Sequence, residues 1–84
     1  MSDVVRLLSK PTNFAVVQLP QRQYPGVVIQ GDTLASCVSQ LTRMKSLLDT
    51  NDLDELRYEI NELDEMLSGA LAFYQKVCKD NSIS

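Results

Sequence analysis

Apolar and polar positions divide the chain into two halves with different periods. From Asn13 to Leu19, NFAVVQL, β-branched and aromatic residues dominate and Pro20 closes the run, which predicts a strand. Gly26 to Gln30 repeats the signature after the connector PQRQYP, whose length suits a β-hairpin although no two-residue turn signal fixes the register. Val4 to Leu8 is a short apolar-rich run that period alone assigns neither to a third strand nor to a helical turn. Beyond Gly31 the period changes. Leu34, Cys37, Leu41, Met44 and Leu48 recur in alternating steps of three and four, lining one face of a helix from about Thr33 to Asp49, with Asp32 or Thr33 as its N-cap. Leu53, Leu56, Ile60, Leu63, Leu67, Ala70, Tyr74 and Val77 keep that alternation over a longer helix, whose start carries Asp52 and Glu55 at capping-box spacing.

Two such faces joined by the short turn DTND predict an antiparallel helical hairpin. A turn centred on Thr50 and Asn51 sets facing residues at numbers adding to about 101, so Leu34 lies beside Leu67. The last turns of the longer helix then extend past the shorter one and are expected to cover the strands. Gly69 costs about 1 kcal/mol against Ala in a helix, and a close crossing by the backbone of Gly31 would explain it. The fold class expected is α+β: a small antiparallel β-hairpin or three-stranded sheet followed by a two-helix antiparallel hairpin. Residues 1–84 form a single domain in this reading, β-rich over 1–31, helical over 32–80 and a flexible tail over 81–84. The same register separates Cys37 from Cys78 by about 21 Å along the helix axis, beyond the about 7 Å between Cα atoms that a disulfide allows. Cys37 is expected as a small core residue and Cys78 as a helix-end residue, both free thiols, in keeping with a reducing compartment.

Composition narrows the function more by exclusion than by assignment. At 9.4 kDa the folded chain should expose about 5,000 Å² and bury a little over 60% of its extended surface, enough for one small core. No apolar run reaches the roughly 18 to 20 residues of a membrane helix, and the N-terminus MSDVVRLLSKP lacks a signal-peptide pattern. A cytoplasmic location is the expectation. The net charge is −3 and the surplus of acids falls in the second half; without a basic face, nucleic acid is not an expected partner. The chain contains no His, which removes His-dependent triads and HExxH-type zinc chemistry. No cofactor, metal or catalytic residue is expected.

Two stretches remain as candidate sites. DLDELRYEINELDE, Asp52 to Glu65, places Glu55, Glu59, Glu62 and Glu65 in one stripe on one helix. A carboxylate row invites comparison with helical Mg²⁺ sites, but the facing helix offers no acid between Thr33 and Leu48. The stripe reads instead as a solvated face, or as a landing surface for a basic protein partner. In RQYPGVVIQGDTL, Arg22 to Leu34, a turn at Pro25 and Gly26, a positive φ at Gly31 and a cap at Asp32 account for most residues without any ligand. Arg22, Tyr24, Gln30 and Asp32 are what such an account leaves for a ligand pocket at the strand-to-helix junction. Both faces of the first long strand are apolar, Phe14 and Val16 on one, Ala15, Val17 and Leu19 on the other. Two helices cover only one of them, so the N-terminal segment or a homodimer is expected to cover the second.

The joined segment NFAVVQLPQRQYPGVVIQGDTL resembles one shared by a family of small, uncharacterised bacterial proteins with an acidic helical second half. The resemblance is close over Asn13 to Leu34 and one of pattern beyond. It implies a bacterial origin but no activity and no catalytic residues. Tyr24 stands where a Phe is expected in relatives, a departure that suggests packing more than chemistry. The expected function is a non-enzymatic interaction module, accessory or immunity-type, acting on a protein partner through its acidic helix or strand edge. The alternative is a small-molecule-binding or enzymatic protein using the junction residues.

Overall fold

The computed structural model describes residues 4–8 and 14–83; Asn13, at the start of the expected strand, and Ser84, at the end of the expected tail, lie outside them. Three strands precede two helices: β1 (Arg6–Leu7), β2 (Phe14–Gln18), β3 (Gly26–Ile29), α1 (Gly31–Asp49) and α2 (Leu53–Asp80). The fold is α+β, and the ambiguous Val4 to Leu8 run supplies the third strand. The sheet is antiparallel in the order β1-β2-β3, with Arg6 opposite Gln18 and Val16 opposite Val27. Contacts group the chain into two compact units, Met1–Gln30 with Ala70–Ser84, and Gly31–Gly69.

The first unit holds the core. Ala15, Val16 and Val17 of β2 are buried together with Val77 and Cys78 of the last turns of α2, and Val16 is fully enclosed. Turns of α2 beyond Gly69 thus group with the strands, as their overhang past α1 requires. Adjacent residues of a strand point to opposite faces, so burial of three consecutive β2 residues means that both faces of β2 are covered within the chain. The second strand face, whose expected cover is the N-terminal segment or a second copy, is thus already buried in the single chain. Cys78 is core rather than a mere helix-end residue, whereas Cys37 is half-buried; both thiols are free.

The β2–β3 connection turns at a different place from the one expected. Arg22 N–H donates to Leu19 O (3.4 Å) and Gln21 takes φ 63°, a type II arrangement with Pro20 at its second position. Gln18 Nε2 secures it by donating to Leu19 O (3.2 Å) and Arg22 O (2.7 Å). Pro25 and Gly26 lead straight into β3, and no glycine has positive φ. Gly31 opens α1 instead of turning the chain, so the helix begins two residues before Thr33; Asp32 accepts from the next amide, Thr33 N–H, at 2.9 Å. Nothing lies within 4 Å of a Cβ built on Gly31 or Gly69, so the expected close crossing does not occur.

Within the second unit, Asn51 (φ 59°) ends α1. Asp52 N–H donates to Leu47 O (2.9 Å) and Asn51 N–H to Leu48 O (3.1 Å), the paired bonds of a Schellman motif that satisfy carbonyls left over at a helix end. Asp52 then caps α2, its carboxylate accepting from Glu55 N–H at 3.4 Å, as the capping-box spacing predicts. A second Schellman motif closes α2: Ile83 N–H donates to Cys78 O (2.8 Å) and Ser82 N–H to Lys79 O (3.1 Å), with Ser82 at φ 57°. The first residues of the expected tail are therefore hydrogen-bonded back onto the helix.

Candidate functional site

The helical hairpin of the second unit has two unlike faces. Across its seam, Gln40 Nε2 of α1 donates to Glu59 O of α2 (2.9 Å), and Arg43 reaches both Glu55 (NH2 to Oε1, 3.2 Å) and Glu59 (Nε to Oε1, 3.1 Å). These pairs lie within a few residues of the expected antiparallel register. Glu55 and Glu59 sit one turn apart, so a single guanidinium can bridge them. It does so because Arg has several N–H donors in a fixed fork.

On this side Ser39, Gln40, Arg43, Tyr58, Glu59 and Glu62 line an open groove of about 420 Å³. The Tyr58 pKa is raised above its usual value, first by hydrogen bonding to Glu62 one turn ahead and then by the Glu62 charge. The stripe of Glu55, Glu59, Glu62 and Glu65 is therefore not the uniform solvated row that its spacing suggests. Two members are tied to α1 through Arg43 and a third to Tyr58. No cluster of metal-ligating residues exists among the described residues.

On the other side the row is apolar. Leu34, Leu41 and Leu48 of α1 and Leu53, Ile60 and Leu67 of α2 are each between 44% and 60% exposed. Between Gly31 and Gly69, the half-buried residues are Thr33, Cys37, Gln40, Met44 and Leu47 of α1, and Glu55, Leu56, Glu59, Leu63 and Met66 of α2. At about 100° per residue, the exposed row is displaced by roughly a quarter turn from the half-buried row on each helix. Because the helices are antiparallel and the displacement has the same sense along both, the two exposed rows share one side of the hairpin. This corrects the expectation that Leu34, Cys37, Leu41, Met44 and Leu48 all pack inward. Sequence periodicity found the apolar arc but not its aim, since Gln40 and Glu59 take inward positions through a hydrogen bond that an apolar pattern does not register.

The junction residues fall differently. Arg22, Tyr24 and Gln30 belong to the first unit and are exposed, Asp32 to the second. No hydrogen bond or ion pair joins any two of Arg22, Tyr24 and Gln30 among the described residues. Tyr24 instead lies close enough to Tyr74 to help raise its pKa, after the larger effects of hydrogen bonding to Cys78, desolvation and the Cys78 charge.

Fold and faces together define a small α+β protein built from a three-stranded antiparallel sheet and a helical hairpin with one apolar and one charged side. The chain belongs to DUF6959, a family of unknown function whose model matches residues 1–84. No curated protein and no solved structure matches it. Among the described residues no helix is long and apolar enough to cross a membrane.

Proposed function

We propose that this chain is a non-enzymatic protein-interaction module, bacterial and cytoplasmic, of an accessory or immunity type, and that the hairpin supplies its binding surface. One observation carries the reading: six large apolar side chains, at even spacing on one side of two paired helices, remain about half exposed. Contiguous apolar surface of that kind marks an interface. The free thiols support a reducing location, and the family resemblance supports the bacterial origin. The acidic stripe takes a secondary part, because Arg43 already pairs with Glu55 and Glu59, which leaves Glu62 and Glu65 to influence encounter by charge.

The test is a binding comparison with the full chain as bait, against itself and against extract of the native cell. Leu41→Asp with Ile60→Asp alters the apolar side, and Glu55→Gln with Glu59→Gln, Glu62→Gln and Glu65→Gln the charged side. Specific association abolished by the first pair and retained by the second set is the expected result. Association lost only with the glutamates would move the function to the charged side, and a wild-type chain that associates with nothing, itself included, would overturn the reading.

A further inference from the structure

We infer that the occupant of the hairpin's apolar side is a second copy of this chain, stacked hairpin on hairpin to close a four-helix bundle. The inference rests on the interaction reading above and names its partner. Need comes first: no residue of Gly31–Gly69 is buried, and helices in proteins draw most of their stability from packing of an apolar face, which this side does not find within the unit. A quarter turn between the half-buried and exposed rows is what each helix of a four-helix bundle presents, one row for each of two neighbours.

The apolar side is also self-complementary. Leu34 with Leu67, Leu41 with Ile60 and Leu48 with Leu53 form three layers, each one heptad from the next. A two-fold axis through the Leu41–Ile60 layer lays that layer on its own copy and each outer layer on the other outer layer. It runs α2 antiparallel to the α2 of the second copy. Arg57 and Asp64 flank Ile60 on the rim, so the same axis brings Arg57 of one copy to within about 1.5 Å along the helix axis of the level of Asp64 of the other. Both are exposed, and Arg57 makes no ion pair among the described residues. The symmetry that seats the leucines thus also supplies two opposite-charge pairs.

Area agrees. At about half exposure the six side chains leave roughly 80–100 Å² each, and with Val38 and the stems of Lys45, Arg57 and Asp64 the covered surface approaches roughly 800 Å² per copy. A standard stable interface removes that much from each partner.

Light scattering after size exclusion, run on the full chain over a wide concentration range, tests the inference. Wild type should have the mass of two chains, falling to one only on strong dilution, and Leu41→Asp with Ile60→Asp should have the mass of one. Arg57→Asp and Asp64→Arg should each weaken self-association by roughly threefold to tenfold, and the two together should recover it; these rim substitutions leave the apolar rows intact and so are informative even if the aspartate pair unfolds the hairpin. A dimer indifferent to the apolar pair, or charge reversals that do not compensate, would overturn the inference. So would a monomer at every concentration. In that case a foreign protein bound through Leu41 and Ile60 leaves the interaction reading standing, and no binding through them ends both.

Discussion

Tyr58 offers the most direct residue-level check of the charged groove. Its hydroxyl proton is held by Glu62, and the nearby charges of Glu62, Glu59 and Glu55 oppose ionisation, so its folded pKa lies above the usual value near 10.0. A group whose folded pKa is raised stabilises the fold fully below its unfolded pKa and loses that contribution as pH rises through the folded one. Stability should therefore fall between pH 10 and the higher folded value. Denaturant midpoints measured from pH 9 upward should decline less steeply in Tyr58→Phe than in wild type, Tyr74 accounting for part of the remainder because its pKa is raised too. An identical decline in both would mean that the Tyr58–Glu62 bond does not persist in solution. Some residue-scale features were legible in the sequence and others were not. The Asp52–Glu55 cap was legible because both groups of the bond lie in one short local pattern. The left-handed turn residue Gln21 was not, because Gly26 drew the turn to the Pro25–Gly26 pair while the structure used Pro20, whose fixed φ suits the second position of a type II turn and leaves the third to Gln21.

Between α1 and α2, Arg43 separates two ion pairs by burial alone. The Glu59 side chain is 13% exposed and that of Glu55 42%, so water screens the first contact less. Double-mutant cycles with Arg43→Ala should give a coupling of about 1 kcal/mol or more with Glu59→Ala and only a few tenths with Glu55→Ala; equal couplings, or the reverse order, would mean that the seam does not hold Glu59 out of water. At this scale the existence, length and antiparallel register of both helices followed from steps of three and four together with a short polar turn. Which part of the apolar arc meets the other helix did not follow. Such spacing names an arc about half the helix wide, and Gln40 and Glu59, polar by composition, occupy its inward edge. The exposed candidates were missed for the same reason: Leu34, Leu41, Leu48, Leu53, Ile60 and Leu67 read as ordinary core from sequence, and only their exposure marks them as a surface. Conversely, the carboxylate stripe was visible by spacing, but the pairing of Glu55 and Glu59 with Arg43 required the two helices to be aligned.

For the chain as a whole, the two units differ in how they are held. The first unit encloses Val16 and its neighbours, a core of its own. Gly31–Gly69 enclose no buried residue and leave an apolar side exposed. The sequence revealed the α+β order and assigned the overhang of α2 to the strands, but it looked for uncovered apolar surface on the strand, to be met by the N-terminal segment or a second copy, whereas β2 is buried on both faces and the exposed row lies on the hairpin. That displacement arises because an alternating strand pattern and a heptad helix pattern both announce apolar surface without saying which one the rest of the chain reaches. The central claim, that the hairpin is held by association through this side, predicts a difference between units that amide hydrogen exchange reads directly. Followed from concentrated to dilute protein, amides of α1 should exchange slowly at first and lose protection as the mass falls to that of one chain, while those of β2 stay protected throughout. Amides of α1 as slow as those of β2 at every concentration, in a chain that is monomeric, would contradict it.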